Sequence, residues 1–271
     1  MPDPARAGCS LTHQLEPHRH PQDVSDADYG RRLTGWTAIV AAALSWFTAT
    51  AVELATGGDP DILFDPHRAL SMTAASARWY RAAMLTDSLG FYLSFLIIGG
   101  YLWAQFRARG RAQADIAVLC ITTYALLGVA GAAIQFATLT PLMEVHASSD
   151  PIGRAESENA WLATVYAAQR GLWWFEGPVM AFWAFFTGSQ LRRCGFSFWW
   201  LLSAAGFLYA TYFLAGSLSA TPAIRLVEAA AVVILPLWLL LFGVSLLRHQ
   251  QAEQPAPKSV RSILSRGSPS K

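Results

Sequence analysis

Arg170 and Glu176 stand within the stretch "QRGLWWFEGP" (169–178), where most neighbours are Trp, Leu, Phe or Ala. An ionised group in so apolar a run has three uses: it pairs with an opposite charge, binds an ion or polar solute, or moves a proton. Six residues separate the two, about 9 Å along a helix axis and about 240° around it, so they do not form a pair within one helix. Each needs a partner elsewhere in the chain.

Other apolar stretches supply candidates. Asp87 in "MLTDSLGFY" lies at the same expected depth as Arg170, and the two are expected to form a buried bridge. Glu53 and Gln135 fall near the ends of their stretches, and Glu228 lies three residues after a possible partner, Arg225. Arg170 has an alternative in the indole rings of Trp173 and Trp174, at i+3 and i+4. The acids Glu53, Asp87, Glu176 and Glu228 outnumber the one base, Arg170. In low dielectric some of them must hold a proton, reach water or meet a cation. Glu176, the deepest, is expected to hold a proton. These six residues form the candidate ligand- or ion-binding set: Asp87, Arg170, Glu176, Glu53, Gln135 and Glu228.

The elements that must position them follow from composition. The chain has 271 residues, 54% hydrophobic and 14% charged. Soluble domains carry about 25% charged residues, so the deficit is large. Six apolar stretches reach the roughly 20 residues that a spanning helix needs. They lie near Trp36–Ala55, Ala82–Gln105, Ile116–Leu139, Trp161–Thr187, Phe198–Leu218 and Ala223–Leu247. The fold class expected is therefore an all-α polytopic transmembrane bundle of six spans. Pro178 and Pro236 should kink helices four and six, because proline removes a backbone hydrogen bond and crowds the preceding turn. "GVAGAA" (128–133) provides small residues for close helix packing.

Residues 1–33 read as a polar cytoplasmic tail with no apolar core for a cleavable signal, so the first span acts as its own insertion signal. Residues 34–248 form the membrane domain, and 249–271 have the Pro, Ser and basic bias of a disordered cytoplasmic tail. With both ends cytoplasmic, fourteen Lys and Arg residues fall inside and five outside, which the positive-inside rule favours. Cys9 and Cys194 then lie on the reducing side and Cys120 within a helix, so no disulfide is expected. Trp36, Trp103, Trp199 and Trp200 should mark the inner interface, and Trp79, Tyr80 and Trp161 the outer one. Trp46, Trp183 and Trp238 suit the bundle interior. The bias to Arg over Lys, with abundant Ala, points to a bacterial chain and hence to the plasma membrane.

Two outer segments are long enough for local structure. "GGDPDILFDPHRAL" (57–70) carries turn chemistry, with Asp65-Pro66 as a helix start. "TPLMEVHASSDPIGRAESEN" (140–159) reads as an acidic, turn-rich loop.

Motif searches exclude more than they assign. The net charge of +2 and the absence of a basic stripe argue against nucleic acid. No HExxH, GxSxG, Walker or dinucleotide-binding pattern occurs, so neither catalysis nor a cofactor is expected. His67 and His146 fall outside the spans, which leaves no haem ligand in the bundle and no metal site assigned. Asp59, Asp61, Asp65 and His67 have ligand-like types, though turn formation explains them as well.

The run "DSLGFYLSFLIIGGYLW", followed two helices later by "RGLWWFEGPVMAFW", resembles a group of bacterial six-helix integral membrane proteins with no assigned activity. The resemblance covers roughly residues 30–250 and implies the six-helix architecture alone. The function expected is binding or translocation of a small solute, proton or cation through a polar pocket in the outer half of the bundle. The bilayer is the other partner. The alternative is a structural or sensory membrane subunit whose buried charges only fix helix packing.

Overall fold

The computed structural model describes residues 21–218 and 221–253, with the side chains of 21–27, 219–223 and 249–253 excepted. The described residues are almost entirely helical and contain no strand. Helix α1 spans Pro21–Thr56. A 3₁₀ turn, Pro60–Phe64, and a five-residue helix α2, Pro66–Leu70, follow it. Helix α3 (Ala74–Asp87) runs through a π-helical segment (Ser88–Leu93) into α4 (Ser94–Phe106). Helix α5 covers Arg111–Ser148. Helix α6 (Pro151–Val165) passes through a second π segment (Tyr166–Leu172) into α7 (Trp173–Arg193). Helices α8 (Trp199–Ser217) and α9 (Thr221–Glu253) complete the chain described.

Three of the expected stretches, 36–55, 116–139 and 223–247, fall within single helices. Stretches 82–105 and 161–187 run through a π segment from one helix into the next, and 198–218 overruns α8 by one residue at each end. Among the described residues, four helical stretches are long and apolar enough to cross a membrane: Asp28–Thr56, Ala74–Phe106, Arg111–Ser148 and Ile224–Arg248. The α6–α7 stretch is diluted by Gln169, Arg170 and Glu176, and α8 has only 19 residues, rich in Trp and Tyr.

Several boundaries differ from expectation. Helix α1 begins at Pro21, well inside the segment read as a polar tail. Residues 1–20 and 254–271, the rest of both expected tails, lie outside the described residues. Segment 140–159 is not a loop. Helix α5 continues through Pro141 to Ser148, and α6 starts after only two intervening residues. Pro141 falls on a helix whose 38 residues extend about 57 Å, well beyond a bilayer core. Asp150 caps α6 by accepting from the Gly153 amide at 2.9 Å, with Pro151 in the first turn.

Helices α7 and α9 also continue through Pro178 and Pro236. Each proline still removes one ladder bond, and the α geometry itself gives way at the π segments, one just before α7 and one just after Asp87. A π segment holds one residue more than an α-helix over the same stretch, which relieves local crowding.

Two apolar clusters hold the bundle. The larger joins α1, α4, α5, α7, α8 and α9 around Phe95, Trp183, Trp238 and Phe242. The smaller lies at the α2 end and centres on Leu63, Leu70, Tyr80, Leu139 and Trp161. Trp161 and Tyr80 are fully buried, so neither belongs to an interfacial belt. The Trp161 indole donates to the Leu63 carbonyl at 2.9 Å, tying α6 to the 3₁₀ turn. Trp36, Trp79 and Trp200 are exposed as expected, and Trp183 and Trp238 are buried. Trp46, expected inside, is 40% exposed. Cys120 is a free thiol, whereas Cys194 is disulfide-bonded, contrary to expectation.

Candidate functional site

Asp87 ends α3 where regular α geometry gives way to π, and only 8% of its surface is exposed. Among the described residues its carboxylate has no hydrogen-bond or ion-pair partner. It opens on a cavity of about 230 Å³ between the α2 end and the bundle interior. Every neighbouring element contributes to the wall. Thr48 and Val52 come from α1, Pro60, Asp61 and Phe64 from the 3₁₀ turn, and Tyr80 from α3. The π segments add Tyr92, Gln169 and Arg170, and α8 and α9 add Tyr212 and Glu228. The amphipathic aromatics and few convergent charges are those of a solute pocket, and the volume, below the roughly 300–1,000 Å³ usual for drug-sized ligands, suits only a small one.

Arg170 shares this wall with Asp87, but the expected bridge between them does not form. Its guanidinium lies over the Phe64 ring, 4.8 Å from the centroid, and over Trp174 at 5.2 Å. Two aromatic faces therefore hold the cation, the second of them the i+4 alternative. Glu228 does not pair with Arg225 either. Arg225 reaches the Asp61 carboxylate and ties α9 to the 3₁₀ turn. Glu228 faces the cavity from its exposed position on α9.

Gln135 is fully buried and does not line the Asp87 cavity. Its Oε1 accepts from the Tyr80 hydroxyl at 2.6 Å and from the Gln169 amide at 2.8 Å, while its own amide donates to the Gly131 carbonyl at 3.2 Å. It is a positioning residue that orients two groups of the wall.

Glu176 lies behind Tyr92. The Tyr92 hydroxyl donates to Glu176 Oε2 at 3.4 Å, and Oε1 is buried with no protein partner. The Tyr92 ring packs on Tyr124 at 5.2 Å, and the Tyr124 and Tyr209 hydroxyls are 3.2 Å apart. A file of phenols thus runs beside the deepest carboxyl group. The small residues of α5 place two of the rings involved. A Cβ at Gly128 would fall within the Tyr92 ring, and one at Gly131 would meet the Trp173 indole nitrogen.

Glu53 is exposed and lines a second, larger cavity of about 720 Å³ between α1 and helices α8 and α9. That cavity shares Asp87, Tyr92, Tyr212 and Glu228 with the first and is otherwise mostly apolar. Of the six candidates, Asp87, Arg170 and Glu228 meet at the first cavity, Glu53 stands at the second, and Gln135 and Glu176 lie just outside both. Tyr92 and Gln169 escaped the sequence reading, and Trp173 entered it only as a ring for Arg170. Tyr92 could have been found five residues after Asp87, more than one helical turn along the same stretch.

The Asp59–His67 cluster divides. Asp59 and Asp65 cap the 3₁₀ turn and α2, accepting from the Asp61 and Arg68 amides, and the Arg68 guanidinium pairs with Asp59 at 2.8 Å. This is the turn chemistry expected. His67 instead joins His146 and Glu158: its Nδ1 lies 3.0 Å from Glu158 Oε1, and His146 Nε2 lies 2.9 Å from the same oxygen. Bonds from His146 and then His67 hold the Glu158 carboxyl below the ordinary glutamate range. No sequence motif links these three positions.

No family model, curated protein or solved structure matches this chain.

Proposed function

We propose that this chain is a six-span bacterial plasma-membrane protein that binds or translocates a small solute or cation through the cavity beside Asp87. The carrying observation is the Asp87 carboxylate itself. It is nearly buried, lacks a protein partner and opens on a cavity that also presents Arg170 and Glu228. A buried charge without a partner is costly, so its retention calls for a ligand or proton that completes it. The rival reading, a structural or sensory subunit whose buried charges only fix packing, accounts for Arg170 on its two aromatic rings but gives the open Asp87 carboxylate no role.

Both termini are assigned to the cytoplasm on the fourteen-to-five excess of basic residues. The basic residues carry the assignment, since they act during insertion and over many loops.

Thermal stabilisation of the purified full chain in detergent tests the function. The probes are alkali cations, guanidinium and small primary amines. At least one should raise the melting temperature of the parent and leave Asp87→Asn unmoved. A panel without effect on the parent, or an equal shift in Asp87→Asn, overturns the reading.

A further inference from the structure

Three residues far apart in sequence meet at the α2 end. His67 projects from α2, His146 from the last turn of α5, and Glu158 from α6. Their donor atoms, two imidazole nitrogens and one carboxylate oxygen, lie within 4.8 Å of one another. Both nitrogens approach the same oxygen, at 3.0 and 2.9 Å. Two ligand atoms that each bind an ion at about 2.1 Å stand about 3.0 Å apart at a right angle, and about 3.4 Å apart at a tetrahedral one. The two nitrogen–oxygen edges already fall at the lower value. Closing the third edge asks for movement of one imidazole, and His67 is free to supply it. Its side chain is 71% exposed on a five-residue helix, whereas that of His146 is 8% exposed.

We propose that His67, His146 and Glu158 form a binding site for a divalent transition-metal ion of the zinc or cobalt kind, completed by water. The donor set selects the ion. Imidazole suits zinc, cobalt and nickel, while calcium and magnesium take oxygen ligands almost throughout. Three protein ligands leave at least one position for water, as in open zinc sites. The ion would fasten α2 to the α5–α6 hairpin, next to the 3₁₀ turn that walls the cavity. The site does not depend on the reading given to that cavity.

The test uses the full chain in detergent with His13, His18, His20 and His249 replaced by Ala, so that only His67 and His146 remain. Titration with Co²⁺, followed by its visible d–d absorption, should show one equivalent bound and displaced by Zn²⁺ but not by Mg²⁺. His67→Ala, His146→Ala and Glu158→Gln should each weaken Co²⁺ binding at least about tenfold. His67→Ala removes an exposed side chain, so its metal-free melting temperature should match the parent, which separates ligand loss from misfolding. No Co²⁺ uptake by the parent, or uptake that any one of the three variants leaves unchanged, overturns the proposal.

Discussion

Asp87 and Arg170 wall one cavity from two different helices, yet they stop short of an ion pair. Each is accommodated separately. Asp87 faces open volume, and Arg170 lies over Phe64 and Trp174. The cavity therefore keeps opposite charges available to a third party instead of consuming them in one bridge.

A double-mutant cycle reads this directly. Residues without a shared contact give stability changes that add within about 0.3–0.5 kcal/mol. Asp87→Asn and Arg170→Gln should behave so in detergent melting of the single and double variants. A coupling above about 1 kcal/mol would mean that the two touch.

The Tyr92 ring occupies the space that Gly128 leaves open. Gly128→Ala adds a methyl group inside a packed contact, and overpacking of this kind costs about 1–3 kcal/mol. The displaced ring would also withdraw the hydroxyl that Glu176 accepts from. Chemical denaturation should show the loss, and Gly100→Ala, where the added methyl meets open space, should not.

Glu158 gives a pH dependence of known sign. Its folded-state carboxyl titrates below the ordinary value of 4.5 because His146 and His67 donate to it. A depressed carboxyl contributes stability that is present above the unfolded value and lost as pH falls through the folded one. The parent should therefore lose stability on acidification below about pH 4.5 more steeply than Glu158→Gln. Coincident acid limbs would remove Glu158 from that role.

Topology is checked by fusion. Reporters placed after residue 60 and at the carboxyl end should give opposite signals, periplasmic and cytoplasmic respectively. Matching signals from both would overturn the assignment made on the basic residues.

The bundle is legible in the sequence because hydrophobic length reports directly on helices that must bury or immerse their surface. Every expected apolar stretch is predominantly helical, but the helix ends do not follow apolar length. Helix α5 continues through Pro141 because the α2 end carries its own core, with Leu139 and Trp161 fully buried there. Expected depth placed Asp87 and Arg170 together correctly at one cavity but gave the wrong partner, since depth says nothing of helix rotation. Phe64, which takes the Arg170 guanidinium, lies in a segment that composition marks only as a turn. The His67, His146 and Glu158 set was invisible for a related reason. Residues 67 and 146 share no periodic spacing, and only the return of α6 past α2 unites them with 158.

The two π segments give the molecule an editable joint. Each carries one residue in excess of α geometry, and each lies where the chain presents cavity groups: Tyr92 in one, Gln169 and Arg170 in the other. Excising a single residue such as the exposed Ala167 would let the segment relax to an ordinary helix, with α6 and α7 keeping their seats on either side. The scaffold would survive while Gln169 or Arg170 swung to a new bearing. Insertions and deletions, usually ruinous inside a helix, thus become a route by which such a pocket can change its selectivity without refolding its bundle.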